Sequence, residues 1–356
     1  MTSSNQAKVQ TDTTLSHAEQ IQLKDLERAK TLKQKSEPLV SHIYTADPSA
    51  HVFDGKIYIY PSHDVESETS INDDGDHFAM NDYHVLSLDP EDFSATDHGV
   101  SLSVADVPWA DKQMWAPDAA HKDGTYYFYF PARDKDGIFR IGVASGTSPT
   151  GPFTAEENYI QGTFSIDPAV YEDDDGSYYL YFGGLWGGQL QNWHNGEFSE
   201  EDIYPADDQP ALNAKMAKLS PDMLELAEEP KDIVIIDEHG DAITVGDNDR
   251  RFFEGPWVHK YNDVYYFSYS TGDTHKIAYA TSDSPYGPFT YKGVILNPVL
   301  GWTNHHSITC FEGKWYLFYH DSSLSGGQTH LRCVKMTELI HDENGNIETV
   351  DAYEAE

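Results

Sequence analysis

The chain has 356 residues and a formal net charge of −37, from 60 acidic and 23 basic side chains. A surface this negative repels nucleic-acid phosphates and anionic lipid headgroups, which excludes nucleic acid and membranes as partners. No apolar run has membrane length, and the first 38 residues lack the hydrophobic core of a secretion signal. We therefore expect a cytoplasmic protein.

The N-terminal residues are predicted to form an arm outside the main domain. Within residues 15–36, apolar side chains such as Ile21 and Leu26 recur among Glu, Lys and Gln, which is typical of a weakly amphipathic helix. The pattern fits either a frayed, disordered leader or a helical arm that contacts a neighbouring subunit. We assign residues 1–38 to the arm and residues 39–356 to one domain.

One short pattern then recurs five times along the chain. Each copy has a variable leading residue, a Gly or Asn turn, and a tyrosine three residues after the turn residue. The leading residues are Asp47, Ala116, Asp167, Glu254 and His305, and the tyrosines are Tyr58, Tyr127, Tyr179, Tyr265 and Tyr316. Aromatic and β-branched residues on both sides of such turns predict β-hairpins. Copies separated by roughly 50–90 residues suit four-stranded blades with insertions, so we predict an all-β, five-bladed β-propeller.

A second repeat supports this architecture. The motif Ser-Pro-x-Gly-Pro-Phe occurs at Ser148–Phe153 and again at Ser284–Phe289. Each motif follows a strand-like segment, Ile141–Ala144 or Ile277–Ala280. We interpret each motif as the turn that leads into the outer strand of a blade.

The repeat also predicts a site. The innermost strands of a propeller surround one axis, so we expect Asp47, Asp167, Glu254 and His305 to lie together at one end of the channel. The alternative is that Asp-Pro and Glu-Gly are turn dipeptides without a chemical role. Four ionisable residues at the equivalent point of one repeat favour the site. We interpret the acidic insertion Asn72–Asp76 as a loop at its rim.

Carboxyl groups around a pocket with nearby aromatic side chains are what glycoside hydrolysis requires. One carboxylic acid protonates the departing oxygen, and a carboxylate activates a water molecule. The acid must stay protonated near neutral pH, and burial or a nearby negative charge raises its pKa enough. Trp115 and Trp186 are candidates to stack against a sugar ring, although Trp115 also fits a core position.

Five segments resemble glycoside hydrolase family 43, the five-bladed propeller family of β-xylosidases, α-L-arabinofuranosidases and arabinanases. The segments are Tyr44–Ser49, Met114–Asp118, Ser165–Ala169, Phe253–Pro256 and Asn304–Ser307. The resemblance extends from about Ser41 to Leu339. Within the family, Tyr178–Gln189 and Phe318–Ser323 are most similar to the intracellular, exo-acting β-xylosidases.

The resemblance implies a role for each central residue. Asp47 corresponds to the general base, Glu254 to the general acid, and Asp167 to the residue that orients the acid and sets its pKa. Inversion, the family's stereochemistry, implies about 6.5–9.5 Å between the carboxyl groups of Asp47 and Glu254. Arg332 resembles an arginine that holds substrate hydroxyls, with a surface salt bridge as the alternative. His305 corresponds to a histidine that holds calcium together with water, with a hydrogen-bonded core histidine as the alternative.

The implied activity is the release of xylose from the non-reducing end of β-1,4-xylo-oligosaccharides. An α-L-arabinofuranosidase, or an enzyme with both activities on arabinoxylo-oligosaccharides, is the first alternative. A sugar-binding propeller without catalysis is the remote alternative, because burying three carboxyl groups without using them is costly. Family relatives often form dimers or tetramers, so a homo-oligomer is a further expectation.

Overall fold

The computed structural model describes residues 15–354. Five β-sheets surround a central channel, which confirms the predicted all-β, five-bladed propeller. The inner strand of every blade packs against the inner strand of the next, and the inner strand of blade five packs against that of blade one. Within residues 15–354, no helix has the length and apolar character needed to cross a bilayer.

The strands of each blade run in order from the channel outward. Blade one contains Tyr44–Phe53, Lys56–Asp64, Asp82–Leu88 and Ala95–Ser103. Blade two contains Asp118–Lys122, Thr125–Asp134, Phe139–Gly146 and Thr154–Ala155, and Ala110–Lys112 also pairs with its second strand. Blade three contains Ala169–Glu172, Tyr178–Phe182, Lys215–Lys218 and Lys231–Asp232. Blade four contains Phe252–Tyr261, Val264–Thr271, Ile277–Ser282, Phe289–Leu296 and, in parallel at the edge, Ile235–Ile236. Blade five contains His306–Phe311, Lys314–Asp321 and Cys333–Leu339.

Few elements lie outside the blades. They are the helix α1 at His17–Arg28, the hairpin of Trp193–His194 and Glu197–Phe198, and 3₁₀ turns at Val104–Asp106, Trp186–Gly188 and Leu190–Asn192.

The repeated turn residue joins the first and second strands of each blade, as the sequence predicts. All five turn residues have positive φ, a conformation that Gly and Asn adopt at low cost. They are Gly55, Gly124, Gly176, Asn262 and Gly313.

The Ser-Pro-x-Gly-Pro-Phe turns also lie where the sequence predicts, and they link neighbouring blades. The hydroxyl of Tyr60 in blade one donates to the carbonyl of Pro149 at 2.7 Å. The hydroxyl of Tyr181 in blade three makes the equivalent bond to Pro285 at 2.8 Å. Each tyrosine buries its ring while satisfying its hydroxyl, so the second repeat is part of the contact between blades.

The segment before blade one closes the ring. The backbone N–H of Leu39 donates to Val334 and that of Thr45 donates to Arg332, both at 2.9 Å. These bonds cover the outer edge of blade five, which has three strands of its own. An edge paired in this way is no longer open to strand addition.

The predicted arm contains a helix that packs on its own propeller. Ser16 caps α1 in a capping box with Glu19. The side-chain amide of Gln22 donates to Gly327 O at 2.6 Å and accepts from Thr329 N–H at 2.8 Å. Asp25 accepts from Gly301 N–H at 2.8 Å. The remaining part of the predicted arm, residues 1–14, lies outside the described residues.

Candidate active site

Irregular backbone directs the central side chains into the channel. Asp47 and Asp167 have φ values of 48° and 58°, in the left-handed region, and Gly255 directly after Glu254 has φ 65°. The strand pairing shifts register beside Asp47 in blade one and beside Glu254 in blade four. Bulges of this kind re-aim side chains next to active sites, and positive φ in non-glycine residues is a form of stored strain.

All seven sequence-predicted site residues line one open cavity. They are Asp47, Trp115, Asp167, Trp186, Glu254, His305 and Arg332. The structure thus brings together Asp47, Asp167, Glu254 and His305, which the repeat placed at equivalent points of separate blades, and adds the other three residues to the same cavity.

Asp47 is buried and fully engaged by neighbouring groups. Its Oδ1 accepts from Arg332 Nη1 at 2.9 Å, and its Oδ2 accepts from Ser62 Oγ at 2.7 Å. Its backbone N–H donates to Nδ1 of His320 at 2.9 Å. Nδ1 of His320 is therefore an acceptor, which leaves Nε2–H to donate to Thr303 O at 3.1 Å. This network fixes the orientation of the Asp47 carboxyl group.

Arg332 is held in place by a second carboxylate. Its Nε and Nη2 bind the two oxygens of Asp64 at 2.8 and 2.7 Å. Nη1 bridges Asp47 and Thr303 Oγ1, the latter at 3.1 Å. The guanidinium carbon lies 4.8 Å from the centre of the Phe78 ring. This buried, bidentate arrangement replaces the surface salt bridge considered as an alternative, and a role in holding substrate hydroxyls stays a prediction.

The neighbours of Asp47 set its charge state. Burial would raise the pKa of Asp47, but the interactions with Arg332, His320 and His305 together outweigh burial and hold that pKa well below its usual range. Burial disfavours the charged form of Arg332 and would lower its pKa, yet the carboxylates of Asp47 and Asp64 together raise that pKa. Both partners therefore carry full charge at neutral pH.

Glu254 has the opposite electrostatic environment. Part of its surface faces the cavity, but desolvation by the surrounding protein, followed by the charge of Asp47, raises its pKa to about 8. Burial and the charges of Glu254 and Asp47 also raise the pKa of Asp167. Asp167 Oδ2 accepts from the backbone N–H of Gly255 at 2.9 Å, which favours its anionic form. We therefore assign the proton of this pair to Glu254.

His305 lies between the two aspartates. Its Nδ1 is 3.8 Å from Asp47 Oδ1 and 3.8 Å from Asp167 Oδ2. Burial lowers the pKa of His305 to about 4 against the pull of the Asp47 carboxylate, and the positive charge of Arg332 acts in the same direction as burial. A neutral imidazole flanked by carboxylates fits a cation ligand. The adjacent His306 instead pairs with Ser268 at 2.6 Å, in a structural role.

The two predicted aromatic residues differ in exposure. Trp115 is 9% exposed, and its indole N–H donates to Phe78 O at 2.9 Å, so it is a core residue with one edge on the cavity. Trp186 is partly buried at the start of a 3₁₀ turn and borders both the main cavity and an adjoining one.

Several lining or supporting residues were not predicted from the sequence. Phe78 and Trp302 stack with ring centres 6.4 Å apart on the cavity wall, and neither belongs to the repeat. Ser62 and Asp64 face Ala46 and Tyr44 across the first hairpin. Continuing the strand pairing of that hairpin beyond Asp47 would have placed both side chains close to Asp47, and this signal is present in the sequence.

The rim loop and α1 form one side of the site, which places Asn72–Asp76 where the sequence predicts. The backbone N–H of Ala18 donates to Asp73 Oδ1 at 2.7 Å, and Ala18 is fully buried. Ile21 packs against the cluster that contains Trp115 and Trp302. A second cavity beside the first is lined by His17, Asp73, Asp74, Trp186, Phe253, Asp273, His275 and Trp302.

A five-bladed propeller whose channel holds an ionised carboxylate and a protonated carboxylic acid has the groups that define a glycoside hydrolase. Comparison with known protein families agrees with this assignment. The model of glycosyl hydrolases family 43 matches residues 38–347, and the chain belongs to this family.

Individual relatives match over nearly their whole length. A xylosidase/arabinosidase of Bacteroides ovatus is 56% identical over 321 residues, covering 90% of this chain and 99% of the relative. Xylosidase/arabinosidase 43A of Humicola insolens is 59% identical, covering 88% and 98%. A solved β-xylosidase/α-arabinofuranosidase from a compost metagenome, in complex with xylotriose and in a calcium-free form, is 63% identical with a TM-score of 0.89, covering 91% and 99%.

Proposed function

We propose that this glycoside hydrolase is an inverting exo-β-xylosidase that releases xylose from the non-reducing end of β-1,4-xylo-oligosaccharides. The observation that carries the proposal is the presence of two carboxyl groups in one cavity, Asp47 paired with Arg332 at 2.9 Å and Glu254 in surroundings that raise its pKa. Relatives named for xylosidase activity, and a solved relative that holds xylotriose, support xylose as the sugar.

In the proposed mechanism, Asp47 accepts a proton from water as the water attacks the anomeric carbon. The Arg332 clamp keeps Asp47 ionised, and the Ser62 hydroxyl fixes the direction of its second oxygen. The ionised carboxylate has a free lone pair directed by these contacts, and it can accept the proton of the attacking water in a single displacement.

Glu254 donates its proton to the glycosidic oxygen as the bond to the leaving sugar breaks. Its pKa of about 8 keeps it protonated at neutral pH. Asp167 is a positioning residue in this proposal, because it binds the backbone directly after Glu254 and its charge opposes ionisation of the acid. Asp47 gains one proton from water while Glu254 loses one, so the total number of protons on the enzyme is unchanged. After product release Asp47 gives its proton to solvent and Glu254 takes one from solvent, which resets both groups.

Calcium at His305 belongs to the same proposal. The neutral imidazole and the flanking carboxylates Asp47 and Asp167 fit a hydrated calcium ion, whose charge would offset repulsion between the carboxylates. The calcium-free form of the solved compost relative supports testing this ion. Calcium titration by isothermal calorimetry should show one site in the wild type and none in His305→Ala; equal binding by both proteins would contradict the assignment.

Arabinofuranosidase activity is the second candidate. Relatives named xylosidase/arabinosidase favour it, and it requires no change in the roles of the carboxyl groups. Cytoplasmic location and homo-oligomer formation stay predictions from the sequence.

The test compares kcat/KM on 4-nitrophenyl β-D-xylopyranoside and 4-nitrophenyl α-L-arabinofuranoside, followed by product analysis on xylotriose. A higher value on the xyloside, with xylose and xylobiose as the first products, is the expected result. Preference for the arabinoside would make the second candidate the main activity. Inactivity on all three substrates would contradict the proposal.

A further inference from the structure

Blade one carries a cluster of metal-ligating side chains outside the catalytic cavity. Nitrogen atoms of His63 and His84 and a carboxylate oxygen of Asp82 all lie within 4.8 Å of one another. None of the three lines the cavity that contains Asp47. The reaction proposed above uses none of them.

The strand pairing explains why these side chains meet. Tyr58 pairs with Ser87 and Ile59 with Leu86 in the antiparallel ladder of the second and third strands. Extending this register puts His63 opposite Asp82, and residues opposite each other point to the same face of a sheet. His84 follows two residues after Asp82 and therefore shares that face. The constellation is fixed by strand geometry rather than by a loop.

One of the two imidazoles is already oriented by a carboxylate outside the cluster. Nδ1 of His63 lies 2.6 Å from Asp82 Oδ1, and Nδ1 of His84 lies 2.8 Å from Asp97 Oδ1. Asp97 is itself held by Gly99 N–H at 2.8 Å and by His42 at 2.8 Å. Asp82 is a proposed ligand itself, whereas Asp97 lies outside the cluster. A carboxylate on one ring nitrogen is the usual partner of a metal-bound histidine, so Asp97 fixes the tautomer of His84 and leaves its Nε2 to bind the metal.

The cluster is also accessible and lies in a negative field. The side chains of His63, Asp82 and His84 are 17%, 28% and 11% exposed, so an ion can enter while the ligands stay restrained. The net charge of −37 attracts cations to the whole surface. Two imidazoles and one carboxylate select a borderline transition metal over calcium or magnesium, which prefer oxygen ligands.

We propose that His63, Asp82 and His84 form a second metal site, which binds a divalent transition metal such as Zn²⁺ with water at the open position. Tetrahedral zinc with bonds of about 2.0–2.2 Å holds its ligand atoms about 3.3–3.6 Å apart. Small side-chain rotations are therefore enough to close the cluster around the ion.

The site's position indicates a structural effect. His63 directly precedes Asp64, which holds the guanidinium of Arg332 through two hydrogen bonds. A metal at His63 would tie the end of this strand to its neighbour. Bound metal should therefore stabilise the folded blade, by mass action, without taking part in bond cleavage.

Calorimetric titration with ZnCl₂ tests the proposal on the full chain after chelator treatment and dialysis. The double variant His63→Gln, His84→Gln should bind one Zn²⁺ fewer than the wild type. His239→Gln removes a histidine that is 75% exposed and should leave the stoichiometry unchanged. His305→Ala separates this site from the catalytic cavity and should retain the Zn²⁺ lost in the double variant.

Thermal unfolding gives a second measurement. At a hundredfold excess of Zn²⁺ over its Kd, the wild type should gain about 3–5 °C in Tm relative to the chelated protein. The double variant, shown to be folded by circular dichroism, should lose that gain. Equal stoichiometry and equal Tm shifts in the wild type and the double variant would overturn the proposal, as would a wild type that binds no Zn²⁺.

Discussion

The two sides of the catalytic cavity each bury a carboxyl group, and they shift the pKa values of these groups in opposite directions. On the side of blades one and five, Arg332 touches Asp47 at 2.9 Å and lowers its pKa. On the side of blades three and four, burial and the negative charge of Asp47 outweigh the more distant Arg332, and the pKa of Glu254 rises to about 8. Burial alone would raise both values, so the close contact of Asp47 with Arg332, together with its interactions with His320 and His305, separates the base from the acid.

Replacement of the base should have the largest effect. Asp47→Asn keeps the size of the side chain but removes the charge that accepts the proton. We expect kcat/KM to fall about 10³–10⁴-fold on both xylobiose and the aryl xyloside. Steady-state kinetics of both substrates measure this.

Asp111→Asn is the matched control for Asp47→Asn, because Asp111 is exposed on the edge strand of blade two. It should retain wild-type kinetics. A folded Asp47→Asn protein with more than a tenth of the wild-type activity would contradict the assignment of the base.

Replacement of the acid should depend on the leaving group. Glu254→Gln should reduce kcat/KM on xylobiose by about 10³-fold, because the departing sugar hydroxyl needs a proton. The 4-nitrophenolate group leaves without protonation, so activity on the aryl xyloside should fall far less. Similar losses on both substrates would remove Glu254 from the role of the acid.

Weakening the contact between Arg332 and Asp47 should make the pKa values of the two carboxyl groups more alike. Arg332→Lys keeps a positive charge but loses the forked contact with Asp64, and we expect a loss of about 10²-fold in kcat/KM. With a weaker partner, the pKa of Asp47 should rise. Activity requires the ionised base, so it should be lost as pH falls through the raised value.

The pH profile of kcat/KM locates this change. The acid limb should move to higher pH in Arg332→Lys, while the alkaline limb set by Glu254 should move less. A variant with reduced activity but an unshifted acid limb would mean that Arg332 acts on the substrate rather than on Asp47.

The pH profile of kcat/KM for the wild type tests the raised pKa of Glu254. Glu254 is active when protonated, so kcat/KM on xylobiose should be retained below its pKa of about 8 and fall about tenfold per pH unit above it. On the aryl xyloside, Glu254→Gln should lack this alkaline limb. An alkaline limb that persists in Glu254→Gln would belong to another group.

The sequence predicts contacts between equivalent positions of the repeat, but it does not predict contacts between residues outside the repeat. A propeller turns equivalent positions of a repeat into spatial neighbours, so the meeting of Asp47, Asp167, Glu254 and His305 was predictable from spacing alone. Their roles required the resemblance to family 43. The pairing of Arg332 with Asp64 joins positions 268 residues apart without any periodic signal. It depends on how blade five meets blade one, which no local pattern encodes.

Helix α1 is the clearest case of such a long-range relationship, and its removal should have the smallest effect. It precedes the region matched by the family model, yet Gln22 bonds to Gly327 and Ala18 bonds to Asp73 at the cavity rim. Deleting residues 1–28 uncovers one wall of the second cavity and part of the Trp302 cluster. If the leaving sugars extend along that wall, KM for xylotriose should rise several-fold while the aryl xyloside changes less.

The Leu23→Ala variant supplies the control for this deletion, since Leu23 is 53% exposed on the same helix and should alter neither KM. An equal loss of kcat on both substrates in the deletion protein would point to distortion of the carboxyl groups instead. A selective change in KM for the longer substrate, with kcat retained on both, would show that the carboxyl pair sets the chemistry while helix α1 contributes to binding of the additional sugars.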